Sequence, residues 1–143
     1  MTVALVKENV DLRAAFDVRS IVFIDEQQVD RDEEFDQFEN ESYHFLARDD
    51  KGIACGAARW RFTENGVKLE RFAVLKSHRG KGVGSALVEA VLEHIAQLKS
   101  AAGKTLYLHA QLDAMPLYEK FGFIADGEIF YECEIPHRLM TRS

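Results

Sequence analysis

Apolar positions along the chain fall into two kinds of repeat. Short alternating or continuous apolar runs predict strands at "VALV" (3–6), "YHFLAR" (43–48), "IACGAARWRFT" (53–63), "VKLERFAVL" (67–75) and "TLYLHA" (105–110). "FIADGEIFYECEI" (123–135) predicts a bend and a closing strand. Helical spacing predicts a first helix over about 10–26, capped by Asn9 or Asp11, with Leu12, Ala15, Phe16, Arg19, Val22 and Phe23 near one face. A second helix, 83–99, carries the stripe Val83, Leu87, Val91, Ile95 and Leu98. A short one follows at "AMPLYEKF", with Pro116 near its start. "DDKG" and "ENG" read as turns, the second joining two strands as a tight hairpin. Antiparallel strands thus come first, then strand–helix–strand–helix–strand. That order predicts one mixed α/β domain over residues 1–143, without repeats or linkers.

Composition changes this picture little. A chain of 143 residues, 47% hydrophobic and 29% charged, has the profile of a soluble globular domain able to bury one core. No run approaches the roughly 18 apolar residues of a membrane span, and the N-terminus lacks the pattern of a signal peptide. Cys55 and Cys133 lie far apart and read as reduced thiols of a cytoplasmic protein. The five histidines include no pair at metal-ligand spacing, so no metal is expected.

Charge is more informative. Residues 25–41 hold nine acidic residues and one basic, a net of −8. The whole chain carries −6, so the remainder is about +2. Overall acidity argues against a nucleic-acid partner. The acidic run reads either as a solvated loop or as a rim that attracts a cationic acceptor. Phe35 and Phe38 within it predict that the segment packs on the domain.

The most specific chemistry lies at Arg79-Gly80-Lys81-Gly82-Val83-Gly84, between a strand and a helix. A helix N-terminus presents unpaired N–H groups and a partial positive charge. Glycines let phosphate oxygens approach that backbone, and Arg79 and Lys81 add charge, so the segment reads as a phosphate or pyrophosphate cradle. It is not a P-loop, whose G-x-x-x-x-G-K-[ST] spacing is absent. Nor is it a dinucleotide fingerprint, because the third glycine comes one residue early and the next strand lacks the terminal acid.

"RGKGVG" resembles the [RQ]-x-x-G-x-[GA] signature of the GNAT superfamily of acyl-CoA-dependent N-acyltransferases. "LERFAV" is similar to that family's fourth strand and "AMPLYEKFGF" to its A-x-x-[LF]-Y-x-x-x-G-F motif. "VRSIVFIDEQQV" and "YECEIPHRLM" further resemble the R-x-x-V-F-x-x-E-Q and I-P-H-x-x-M patterns of the ElaA/YjcF-like branch. In that branch a glycine commonly precedes the isoleucine, where this chain has Glu134. The resemblance implies a central, mixed but mostly antiparallel twisted sheet flanked by helices, with splayed strands forming an acyl-CoA cleft. It also implies acetyl-CoA as co-substrate, an amine acceptor, and homodimerisation through the last strands.

The resemblance also assigns roles. Backbone around Phe72, Ala73 and Val74 would hold the pantetheine arm, with an N–H of Phe72 or Val74 donating to the thioester carbonyl. Arg79, Gly80, Lys81, Gly82, Val83, Gly84 and Ser85 would hold the pyrophosphate. Gln111 stands where the superfamily often has a cofactor-touching asparagine. Tyr118 matches the tyrosine that protonates the leaving sulfur, an ordinary phenol (pKa about 10) being protonated at neutral pH. Glu26 and His137, both within the branch motifs, are the pair expected to relieve the amine of its proton. Neither cysteine lies in a motif, so direct attack in a ternary complex is expected. A noncatalytic acyl-CoA sensor, an acyl-homoserine-lactone synthase (compare "EEFD") and a nucleotide-binding module are the competing readings.

Overall fold

The computed structural model describes residues 1–143. Seven strands, β1 (Thr2–Leu5), β2 (Tyr43–Arg48), β3 (Ala54–Thr63), β4 (Gly66–Val74), β5 (Leu106–Gln111), β6 (Ile124–Glu132) and β7 (Ile135–Arg142), form one sheet. Their order is β1-β2-β3-β4-β5-β7-β6. Every neighbouring pair is antiparallel except β4 and β5, which run parallel. A parallel pair needs a crossover, here supplied by helix α3 (Val83–Gln97). The other helices are α1 (Asn9–Arg19), α2 (Arg31–Glu34) and α4 (Met115–Glu119). No helix is long and apolar enough to cross a membrane.

Alternation along the strands supplies each face of the sheet with its own core. Phe45, Ala47 and Cys55 pack with Leu87, Val88 and Val91 of α3. Leu46, Ala57 and Ala73 pack on the other face with Ala15 and Val18 of α1. The stripe predicted for α3 is buried at Val83, Leu87, Val91 and Ile95; Leu98 lies just past the helix end and is half-buried.

Three features depart from the sequence expectation or refine it. First, the helix expected over 10–26 is α-helical only to Arg19 and continues as a π-helical segment, Ser20–Glu26. There the Gln27 N–H reaches back five residues to the Val22 carbonyl. Second, "IPHRLMTR" is a full strand inserted between β5 and β6, where the sequence pattern gave no separate element. The intervening turn uses Cys133 and Glu134, both at positive φ (51° and 65°). Two-residue hairpin turns of that kind are normally signalled by Asn-Gly, and neither residue is present here.

Third, the acidic segment is not a free loop: Phe35 and Phe38 pack on the domain as expected, and Glu33, Glu34 and Asp36 line a cleft described below. Arg19, 1% exposed, bonds Glu34 and Glu39 at 2.8 Å each. Arg59, fully buried, reaches Asp36 at 2.7 Å and Glu39 and Glu70 at 2.8 Å. Phe35 packs edge-on against Phe16, and the Arg61 guanidinium lies 3.8 Å over the Phe38 ring. The segment is thus a strap clamped to the domain by arginines, with Asp30 and Asp32 left exposed.

Candidate active site

The parallel strands β4 and β5 pair only through Val67↔Leu106 and Lys68↔Tyr107, then separate. Within β4 the register against β3 steps from Arg59↔Glu70 to Ala57↔Ala73, so β4 carries one extra residue. Arg71, at φ 60°, sits in that bulge. The bend opens a cleft of about 550 Å³ between Leu69–Val74 on one side and Leu108, His109 and Gln111 on the other. Backbone groups along the open edge of β4 have no strand to pair with. The Leu75 N–H donates to Cys55 in β3, at 2.9 Å. N–H direction alternates along a strand, so that of Val74 is turned to the cleft side. The Val74 carbonyl shares this direction, accepting from Arg79 Nε at 3.0 Å.

At the end of β4 the cleft meets a second hollow, walled by Gly80, Gly82, Val83, Gly84 and Ser85 and sharing Val74 and Arg79 with the first. The glycines serve two ends. Gly80 and Gly82 adopt φ 76° and 86°, and a Cβ on either would meet nothing within 4 Å, so open space faces the turn. Gly84 instead lets α4 approach, since its Cβ would lie 3.3 Å from Leu117. The first intrahelical bond of α3 is Ala86 N–H to the Gly82 carbonyl, and no side chain caps the helix. The N–H groups of Val83, Gly84 and Ser85 are therefore free to bind an anion. Lys120, which the motif reading passed over, lines the same hollow, while Lys81 is exposed beside it. This arrangement fits the pyrophosphate of a coenzyme A derivative.

Tyr118 lines the main cleft and is 6% exposed, with its ring edge-on to Phe72 at 5.6 Å. Burial, with no charged or hydrogen-bonding neighbour contributing, pushes its ionisation above the usual phenol range. The hydroxyl accordingly stays protonated. Gln111, at the end of β5, exchanges side-chain amide hydrogen bonds with Gln27 (2.9 and 3.4 Å), which ties the π-helical segment to the far wall.

Glu26 and His137 do not meet. Glu26 forms a two-point ion pair with Arg79, at 2.6 and 2.7 Å. The hydrogen bonds from Arg79 hold its carboxyl below the usual carboxylate range. His137 lies across the cleft on β7, 7% exposed, with Nδ1 donating to the Ile135 carbonyl at 2.7 Å. Its Nε2 faces Glu132 Oε1 at 3.7 Å, and Glu132 also accepts from His109 Nδ1 at 2.9 Å. The sequence reading assigned no role to His109 or Glu132. The signal that joins them is topological: β7 lies between β5 and β6, bringing Gln111, His137 and Phe130 into one row.

Residues 15–143 match the family model described as "Acetyltransferase (GNAT) domain". The uncharacterized N-acetyltransferase YjcF of Bacillus subtilis is 41% identical over 143 residues, 99% of each chain. Among solved structures, Escherichia coli ElaA superposes with a TM-score of 0.83 at 25% identity over the whole of both chains. An acyl-CoA N-acyltransferase from Pseudomonas aeruginosa gives 0.85 at 25% identity, also over both complete chains. The chain belongs to the GNAT family of acetyltransferases, enzymes that take their acyl group from acetyl-CoA.

Proposed function

We propose that this protein transfers the acetyl group of acetyl-CoA to a primary amine by direct attack in a ternary complex, and that it falls within the ElaA/YjcF-like branch. The observation that carries the reading is the continuity of the anion hollow before α3 with the cleft beside β4, with the Tyr118 side chain lining that cleft. Phe72, Ala73 and Val74 hold the pantetheine arm along the unpaired edge of β4, and the Val74 N–H donates to the thioester oxygen. Arg79 and the helix N-terminus, Gly80 to Ser85, bind the pyrophosphate. Gln111 fixes the opposite wall through Gln27.

The chemistry then needs little from the protein beyond position and one proton. The amine attacks the carbonyl carbon, the carbon–sulfur bond breaks, and Tyr118 gives its proton to the departing sulfur. Glu26 steadies Arg79 rather than touching the reacting atoms. Branch membership is supported by the similarity to YjcF along nearly the whole chain and by the I-P-H-x-x-M ending on β7. The test is thiol release from acetyl-CoA with ethylamine, a polyamine and a short peptide bearing a free N-terminus. Amine-dependent release that saturates in acetyl-CoA supports the reading. Tight acetyl-CoA binding without release with any of them contradicts it.

A further inference from the structure

A carboxylate wedged between two imidazoles faces the cleft from the side opposite the acetyl-CoA edge. Glu132 accepts from His109 Nδ1 through Oε2 at 2.9 Å and stands 3.7 Å from His137 Nε2 through Oε1. The Phe130 ring packs the wedge, edge-on to His109 at 5.0 Å and stacked on His137 at 5.9 Å. All three polar residues line the same cleft as Phe72, Val74 and Tyr118.

The two histidines are not equivalent. His137 is 7% exposed and both its ring nitrogens face protein oxygens, the Ile135 carbonyl and Glu132. His109 spends only Nδ1–H on Glu132, and its side chain keeps 28% of its surface accessible. Its Nε2 has no protein partner and is not sealed from the cleft. A carboxylate that holds Nδ1–H fixes the tautomer whose lone pair is on Nε2. We propose that His109, oriented by Glu132, accepts the proton that the acceptor amine must lose before it attacks. The inference rests on the acetyl-transfer reading above, and in it His109 is a catalytic residue and Glu132 a positioning residue.

The protons balance. An alkylammonium gives one proton to His109 Nε2, which passes it to water, and the neutral nitrogen forms the bond to the carbonyl carbon. As the carbon–sulfur bond breaks, sulfur takes the Tyr118 proton. The second proton lost from nitrogen restores the phenol through solvent. The products are the amide, free thiol and one released proton. The titratable and charged groups facing this dyad are His137 on β7, Lys68 on β4, Cys133 at the hairpin turn with the Glu33 carboxylate of α2 that it bonds, and Tyr107, whose ring centroid is 6.1 Å from that of His109. The hydrogen bond from His109 and the charges of His109, His137 and Lys68 hold the Glu132 carboxyl below its usual range, so it stays anionic at neutral pH.

Two measurements test this. Nitrogen NMR of the full chain reads the tautomer directly and needs no acceptor. His109 is expected as the Nδ1–H form, reverting to Nε2–H in Glu132→Ala; an Nε2–H form in the wild type overturns the proposal. The kinetic test uses His109→Asn, whose amide can keep the hydrogen bond to Glu132 but has no base at Nε2. With ethylamine its kcat is expected to fall about 10²-fold at unchanged acetyl-CoA affinity. With trifluoroethylamine, already neutral at neutral pH, the variant is expected to keep most of the wild-type rate. Equal rates of wild type and His109→Asn with ethylamine overturn the base alone. Failure of the wild type to bind acetyl-CoA overturns the functional reading and the base with it.

Discussion

Arg79 and Glu26 meet in a two-point ion pair, 2.6 and 2.7 Å, that joins the loop before α3 to the end of the π-helical segment. In doing so Glu26 holds the guanidinium that the proposed function gives to the pyrophosphate. Glu26→Gln is expected to tighten acetyl-CoA binding by about threefold at low salt, an advantage that salt screens away. Calorimetry at two ionic strengths reads it. Because the Glu26 carboxyl is held low in the folded chain, its contribution to stability is present above the unfolded value and is lost as pH falls through the folded one. The pair is exposed, so the effect on stability is small.

Tyr118→Phe separates binding from chemistry. The hydroxyl has no hydrogen-bonding neighbour, so its removal leaves packing against Phe72 and Phe123 intact and the melting temperature nearly unchanged. Turnover is expected to fall about 10²-fold with acetyl-CoA affinity unaltered. Since burial pushes the phenol's ionisation upward, Tyr118 itself imposes no loss of activity at mildly alkaline pH. A pH–rate profile checks this.

Glu134→Gly addresses the hairpin turn. Glu134 sits at φ 65°, where a side chain costs about 1–2 kcal/mol and glycine costs almost nothing. Glycine gives back part of this through the unfolded chain, so a net gain of about 1 kcal/mol is expected. Thermal unfolding then shows a rise of roughly 3–5 °C. This also explains why a glycine suits that position of the I-P-H-x-x-M pattern: it is the second residue of the turn, not part of the cleft wall.

Arg59→Ala is expected to cost about 3–5 kcal/mol, because Asp36, Glu39 and Glu70 lose their shared buried cation. The same network predicts acid behaviour. Burial alone would raise the Asp36 carboxyl, but hydrogen bonds from Arg59 and the Phe38 N–H hold it down at about 2. Its contribution to stability is complete above the unfolded carboxylate range and is lost as pH falls toward about 2. An acid titration followed by circular dichroism should show this strap loosening earlier in Arg59→Ala than in the wild type.

The sequence showed the parts that rest on local pattern. The stripe on α3, the hairpin at "ENG" and the glycine turn are short-range signals, and each stands where periodicity or turn chemistry puts it. Less legible were the features that depend on distant partners. Phe35 and Phe38 showed that the acidic run packs, but not what holds it, because its cations, Arg19, Arg59 and Arg71, lie on other elements. The strand β7 was hidden by a turn with no turn residues. The His109–Glu132 pair joins residues 23 apart on strands that are not neighbours, so no spacing rule reveals it. Glu26 and His137 were linked by motif membership, yet the fold sends one to the phosphate end and the other to β7.

In the proposed function the glycine turn and the β4 cleft form one acetyl-CoA site. Calorimetric titration of wild type and Gly82→Glu with acetyl-CoA, with ATP and NAD as controls, is the decisive experiment. The wild type is expected to bind acetyl-CoA selectively. The folded variant, whose added carboxylate stands at the free N–H groups of α3, is expected not to bind it. Absence of binding by the wild type, or ATP binding more tightly than acetyl-CoA, would contradict the proposed function.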